Sequence, residues 1–360
     1  MRPVGRREML KGMLGLAALA ALPNPVMAAA QTATLRALAD RKGVKFGSAI
    51  DPELLDRPEY AKLLTDQCDI IVPRNSLKWN AIERAPGKFS FGDADKTVAF
   101  AEKNGLAVRG HTLVWYDSPE WVKHLASPSA VTEAVAQHIS TTVSRYKGKI
   151  ASWDVVNEPF EYDDVVLRPS VFLDQLGEKY MDFAFHAARA ADPTAELVLN
   201  ETHLYDSGPV YTAKRQAVIA LIDRLQSRNV PIDGLGIQGH IRPGHDKIDR
   251  DGFAGFCKEL KKRGVSTLIT ELDASCRFAN RLPQFTPAEY APPFGDLIAI
   301  AEANGTLSTV VVWGLSPFGL KPNETPGPNT ACKYRINLFD DALQPLPSFD
   351  AVAHALSGGA

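Results

Sequence analysis

Cysteine is scarce: four in 360 residues. Cys68, Cys257, Cys276 and Cys332 fit no zinc-ligand spacing. Cys276 and Cys332, each in a loop after a late predicted strand, form the one candidate disulfide, with buried free thiols as the alternative. Excess charge is missing as well. A net charge of -2 without a basic stripe argues against a nucleic-acid partner. No predicted strand runs into a Gly-rich phosphate fingerprint, and no spacing implies a cofactor or a metal. Residues 31–360 contain no Ser/Gly linker, no shift in composition and no repeat finer than a strand–helix unit, so they read as one domain.

The apolar run Gly12–Leu22 is too short to span a bilayer. It follows Arg6-Arg7-Glu8-Met9-Leu10-Lys11 and precedes Ala28-Ala29-Ala30. A charged start, a short apolar middle and small residues at the end mark residues 1–30 as a signal peptide. The adjacent arginines resemble a bacterial twin-arginine export signal. The expected cut lies near Gln31, leaving a periplasmic or secreted chain with no membrane attachment. An uncleaved anchor, or general secretory export with a chance Arg-Arg, is the alternative. Asn-X-Thr triplets at Asn200, Asn304 and Asn323 carry no weight in a bacterial export context.

What remains has ample core material, at 45% hydrophobic and 23% charged residues. Apolar strands alternate with amphipathic helices. The predicted strands are 44–50, 69–73, 105–114, 150–156, 196–199, 234–239, 265–272 and 309–315. Helices are predicted at 57–67, 91–104, 130–146, within 170–191, within 210–228, and at 251–262, 287–304 and 348–356. Continuous apolar strands separated by helices mean a parallel sheet with both faces covered. Eight such units predict a single (β/α)8 TIM barrel; a doubly wound open sheet is the alternative. The Pro-rich stretch Lys321–Thr330 reads as a loop.

In such a barrel the site lies where strands end, and these strands end in polar residues. They run into Asn75 and Lys78, His111 and Trp115, Asn157 and Glu158, Asn200 and Glu201, Gln238 and His240, Glu271 and Asp273, and Trp313. Glu158 and Glu271 each close an apolar strand, and paired carboxylates are what glycoside cleavage needs: one to protonate the leaving oxygen, one to attack or to activate water. Amides and imidazoles grip hydroxyls, and indoles present flat faces to sugars. Glu271 and Asp273, two apart, share a face, and His240 is placed to bridge them and keep Glu271 ionised. Alternation puts Asp154, Val156 and Glu158 together. Asn157 therefore joins them only if the strand bends or bulges at its end.

These residues stand in motifs that resemble glycoside hydrolase family 10, the endo-β-1,4-xylanases. The motifs are Gly110-His111-Thr112-Leu113-Val114-Trp115, Trp153-Asp154-Val155-Val156-Asn157-Glu158-Pro159, Gly236-Ile237-Gln238-Gly239-His240, Ile269-Thr270-Glu271-Leu272-Asp273 and Val312-Trp313-Gly314. Asn-Glu-Pro alone is a weak signal; all five in order are specific. The resemblance implies a retaining mechanism with Glu158 as acid/base and Glu271 as nucleophile, their carboxyl groups about 5–5.5 Å apart. It further implies sugar contacts from Lys78, His111, Trp115, Asn157, Gln238, His240 and Trp313, with Asn75 one sugar further out. Asp273 is expected to support His240 from behind.

The chain also departs from the family pattern. Arg74 stands where an acid is usual, Tyr116-Asp117-Ser118 follows Trp115, and Glu201-Thr202-His203 follows Asn200. Phe318 lies where a second tryptophan normally clamps the substrate. These changes predict intact chemistry with an altered glycone-side cleft. Trp79, Trp121 and Trp153 read as packing. The expected protein is a monomeric xylanase acting on xylan or xylo-oligosaccharides, with a preference for short or decorated chains. A retaining β-glycosidase acting on glucan or mannan, and a non-catalytic carbohydrate-binding barrel, are the rivals.

Overall fold

The computed structural model describes residues 33–242, 246–274, 286–317 and 337–359. Eight short strands form its centre: β1 (Lys45–Ile50), β2 (Ile70–Pro73), β3 (Ala107–Gly110), β4 (Ser152–Asn157), β5 (Glu196–Glu201), β6 (Gly234–Ile237), β7 (Ser266–Ala274) and β8 (Leu307–Val312). Segments such as Ile70–Pro73 and Gly234–Ile237 are buried at every position. Such strands have no water-facing side, so helices must cover the outside and packed side chains fill the inside. Each strand pairs in parallel with the next, and β8 pairs with β1. The ring closes without an edge. This is the expected (β/α)8 TIM barrel, and closure rules out the open sheet.

The helices form for local reasons. Pro128–Arg145 begins with Ser127, whose hydroxyl accepts the Ala130 N–H, and with Pro at the first turn. Its buried side chains Val131, Ala134, Val135, His138, Ile139 and Thr142 recur at helical spacing and face the barrel. Pro287–Asn304 opens on a reciprocal capping box between Thr286 and Glu289.

Several short features were not anticipated, among them the following. The region 170–191 holds two helices, Val171–Leu176 and Lys179–Ala191, separated at Gly177 with φ 62°. A short helix, Leu35–Asp40, precedes β1. A small antiparallel pair, Glu83–Ala85 with Lys88–Phe89, follows β2. The short elements hold too few residues for a hydrophobic period to reveal them, and the break at Gly177 falls inside a predicted helical region.

The three tryptophans read as packing are packing. Trp79 stacks on His138 with ring centroids 4.1 Å apart, and its N–H donates to Glu83 Oε2 at 2.9 Å. Burial pushes His138 down to about 3, so this core imidazole stays neutral. Trp121 donates to the Glu83 carbonyl at 3.1 Å. Cys68 and Cys257 are buried free thiols, raised by burial. Cys276, Cys332, Phe318, the stretch 321–330 and the signal segment 1–30 lie outside the described residues. No described helix is long and apolar enough to cross a membrane.

Trp153 is wholly buried and lies flat against Gly110 on the neighbouring strand. A Cβ on Gly110 would meet the indole ring at 2.1 Å. Gly110→Ala is expected to lose about 1–3 kcal/mol of stability by overpacking. Gly255→Ala, on an exposed helix face with open space, is expected to gain about 0.5–1 kcal/mol. Urea denaturation of both variants checks the contrast; a neutral Gly110→Ala would contradict the packing account.

Candidate active site

The site begins below the cleft, at Asp154. Its carboxylate is wholly enclosed, bonded by Arg109 from β3 and set 2.9 Å from His111 Nδ1. Thr112 donates to the Asp154 carbonyl at 2.8 Å. These contacts tether the segment after β3 to β4 and leave the far edge of the His111 ring toward the barrel mouth. Beyond Asp154 the pairing of β4 with β5 shifts register, between Asp154 and Val156. A further pair, Val114–Trp115, then adds to β4 opposite Val156 and Asn157. Glu158 follows with φ 51°, a left-handed conformation, its N–H held by the Asn200 carbonyl at 2.8 Å. A non-glycine residue there costs about 1–3 kcal/mol. The irregularity brings Asn157 and Glu158 onto one cavity, as the conflict with simple alternation required.

The two glutamates meet different partners. Glu158 Oε2 accepts from Trp115 Nε1 at 3.1 Å and from the Tyr162 hydroxyl at 3.2 Å. Its Oε1 accepts from Gln238 Nε2 at 2.9 Å. All three donors are neutral. Glu271 Oε2 lies 3.0 Å from His240 Nε2, and His240 Nδ1 lies 2.7 Å from Asp273 Oδ1. The register of His240 opposite Asp273, in the short pairing His240–Ile241 with β7, fixes this line. Asn200 Nδ2 donates at 2.8 Å both to Glu271 Oε1 and to Asn157 Oδ1. Its own Oδ1 accepts from Thr270 at 2.7 Å.

Burial alone would raise Glu271. The hydrogen bond from His240 and the positive fields of His111, His240 and Lys78 outweigh it and bring the carboxyl down to about 2. Burial alone would lower His240, but the charge and hydrogen bond of Asp273, aided by Glu271, lift it to about 10. The imidazolium therefore donates to both carboxylates over the whole neutral range. The depressed Glu271 contributes stability above its ordinary value of 4.5, lost as pH falls toward about 2. The raised His240 contributes fully below its ordinary 6.5, and that contribution is lost as pH rises toward about 10. Burial lowers Lys78, against the upward pull of Glu271 and Glu158.

A cavity of about 530 Å³ opens over these groups. It gathers Glu158, Glu271, Lys78, His111, Trp115 and Asn157, and likewise Gln238, His240, Asp273 and Trp313. Asn75 is the expected site residue that does not line it. Its carbonyl oxygen accepts from Lys78 at 3.1 Å, and its amide donates to Asp51 at 3.2 Å, so it stands one step outside. The cavity also takes in Tyr162, Asp163, His203 and Arg242, none of which the sequence reading assigned. Asn200 was visible as a polar strand end, but nothing in the sequence showed it bonding two neighbouring strands.

The departures from the family pattern resolve differently. Arg74 is buried, pairs with Asp51 at 3.3 Å and lies 5.8 Å from the Trp313 ring, so it braces an indole rather than facing open water. Tyr116 sits away from Arg74: its ring packs on Arg168, and its hydroxyl is 3.4 Å from that of Tyr162. Glu201 does not reach the cleft. It is fully buried, pairs with the equally buried Lys214 at 3.1 Å and accepts the N–H groups of Phe160 and Thr202. Burial raises Glu201, while Lys214 and these N–H donors oppose the shift.

His203, Asp206 and Asp246 offer ligand atoms within 4.8 Å of one another. Arg242 bonds Asp246 at 2.7 Å and approaches Asp206 to 3.6 Å, so the chain itself supplies the positive charge such a cluster calls for.

Chain-wide comparison agrees with this geometry. The family model "Glycosyl hydrolase family 10" matches residues 34–355. The chain is 35% identical to "Endo-1,4-beta-xylanase 3" of Hypocrea jecorina over 323 residues, which cover 89% of this chain and 84% of the relative. It is 35% identical to "Endo-1,4-beta-xylanase A" of Phanerodontia chrysosporium over 335 residues, covering 91% and 78%. Xylanase 10B from Thermotoga petrophila, solved in complex with xylobiose, superposes with a TM-score of 0.81 at 28% identity, covering 91% of this chain and 98% of that one.

Lys214 and Glu201 share a buried site, and neither tolerates loss of the other. Lys214→Ala is expected to destabilise the fold by about 3–5 kcal/mol, because it strands a buried carboxylate. Thermal denaturation tests this; an unchanged melting temperature would contradict it.

Proposed function

Since the chain belongs to glycosyl hydrolase family 10, we propose that it is a retaining endo-β-1,4-xylanase that cleaves xylan or xylo-oligosaccharides by double displacement. The observation that carries the reading is the contrast between two carboxylates facing one cavity. Glu271 is held ionised by an imidazolium, whereas the Glu158 carboxylate takes its hydrogen bonds from neutral donors. Pairs of carboxyl groups in opposed environments are how one site supplies a nucleophile and an acid at the same pH.

In the first step Glu271 attacks the anomeric carbon while Glu158 gives its proton to the leaving oxygen. The glycosidic bond breaks and a glycosyl ester forms on Glu271. In the second step Glu158 takes a proton from water, whose oxygen attacks the anomeric carbon and displaces Glu271. Asn157, Asn200 and Gln238 hold the two carboxylates in register with the sugar. Trp313 and Trp115 bound the cavity with apolar faces, and Lys78 and His111 offer polar groups to hydroxyls. The names of the relatives support xylan over the glucan and mannan alternatives. Arg74 behind Trp313 supports an altered glycone-side cleft.

Glu158→Ala is expected to lower kcat/KM on xylotetraose by about 10²–10⁴, and Glu271→Ala at least as much. His240→Gln removes the charge that keeps Glu271 ionised, so the acid limb of kcat/KM moves to higher pH. Steady-state assays across pH, with xylan, β-glucan and mannan in parallel, check these outcomes. Equal inactivity of wild type and Glu271→Ala, with xylo-oligosaccharide binding in both, would mark a binding protein instead.

A further inference from the structure

Glu158, read as the acid/base, changes charge twice in each turnover, and two of its three partners cannot follow it. Trp115 and Gln238 present N–H groups that only donate, so both favour the ionised carboxylate. The Tyr162 hydroxyl, 3.2 Å from Oε2, can donate to the carboxylate and accept from the carboxylic acid. We propose that Tyr162 is a positioning residue of the acid/base step, holding Glu158 in both protonation states and setting the pH above which the enzyme loses its acid. This rests on the assignment of Glu158 given above.

Tyr162 is fixed more firmly than a loop tip requires. Its side chain belongs to a residue that is 41% exposed, yet the backbone on either side is tied to the core. Phe160 and Leu167 bridge antiparallel, and the Glu161 N–H reaches the Val166 carbonyl, closing residues 160–167 into a small hairpin. The buried Lys214 donates to the carbonyls of Glu161 at 3.0 Å and Tyr162 at 3.2 Å. Its partner Glu201 takes the Phe160 N–H. The guanidinium of Arg168 lies 4.2 Å from the Tyr162 ring and 4.4 Å from the Tyr116 ring. It also bonds the Phe160 carbonyl at 2.9 Å. A buried ion pair below and a stacked cation at the side aim one hydroxyl at Glu158.

Among the described residues, His111, His240, Asp273, Asp163 and Arg242 line the cavity, and Glu161 pairs with Arg168 at 3.1 Å beside the loop. Lys78 and Glu271 face Glu158 within the cavity, and Glu201 lies close enough for Glu158 to raise it. Arg168 and Tyr116 flank Tyr162, and His203 meets its ring edge-on at 6.2 Å. Burial, with the neighbouring Glu158 charge, pushes the Tyr162 hydroxyl well above its ordinary range. It therefore stays a neutral donor and acceptor wherever the enzyme works.

A hydroxyl donates more strongly to a carboxylate than it accepts from a neutral acid. Losing it makes Glu158 hold its proton to higher pH. Tyr162→Phe keeps the ring and removes the hydroxyl. It is expected to move the alkaline limb of kcat/KM for xylotetraose upward by about half to one pH unit, with the acid limb unmoved. On an aryl xylobioside whose leaving group departs without protonation, kcat/KM should change by less than about twofold. An unmoved alkaline limb overturns the proposal, whatever the rate. Full activity of Tyr162→Phe on both substrates, with equal losses on both in Tyr162→Ala, means that the ring is only a sugar platform and also overturns it. Glu158→Ala run alongside separates the two levels. If it keeps wild-type activity, the acid/base assignment itself fails; if it loses activity while Tyr162→Phe keeps its limb, only the role of Tyr162 falls.

Discussion

The positive charge on His240 is the constraint on which the rest of the site depends. It lies between two carboxylates, at 3.0 Å from Glu271 and 2.7 Å from Asp273. Two buried acids repel each other and resist ionisation; one protonated imidazole between them reverses that and leaves Glu271 charged. The wholly buried Asp273 carries no exposed function of its own, but it holds the proton on His240. The Glu158 carboxylate, facing the same cavity, takes its hydrogen bonds from the neutral Trp115, Tyr162 and Gln238. The asymmetry between the two acids therefore follows from which one faces the imidazolium.

A regular barrel could not present this arrangement. Strictly alternating strands send neighbours to opposite faces, so Asn157 and Glu158 would part. The register shift in β4, the left-handed Glu158 and the added pair Val114–Trp115 overcome that. A second shift, between Ile269 and Leu272 in β7, accompanies the pairing of Asp273 with His240. The shifts at Asp154–Val156 and Ile269–Leu272 lie at the strand ends that carry the chemistry, and one more, at Thr267–Leu268, lies near the start of β7. Such local strain is held because the surrounding hydrogen bonds, above all those of Asn200, over-determine it.

Much of this was legible in the sequence, for physical reasons. Continuous apolar runs such as Leu268-Ile269 and Val310-Val311-Val312 have no other use than a covered sheet, so the barrel could be read. Polar residues at the ends of those runs marked the cleft, and the i, i+2 pair Glu271 and Asp273 marked the seat of His240. Contacts that depend on long separations were not legible. Lys214 lies on a helix with no sequence link to the loop it ties down, and Tyr162 is an ordinary loop aromatic until its hydroxyl is seen beside Glu158. Glu201 read as a cleft residue because strand ends usually are; its buried partner turns it into a support. Asn75 was expected one sugar further out, and its bond to Asp51, which helps keep it off the cavity lining, joins residues 24 apart in the chain.

The account stands on Glu271 as the group that bonds to sugar, and that can be observed directly. A 2-deoxy-2-fluoro xylobioside with a good leaving group slows the second step more than the first, so the ester accumulates. Peptide mass spectrometry of the treated enzyme should find the sugar on Glu271, with the hydrolysis product of the natural substrate keeping its anomeric configuration. No adduct under conditions of substrate turnover, an adduct on Glu158, or an inverted product would contradict it.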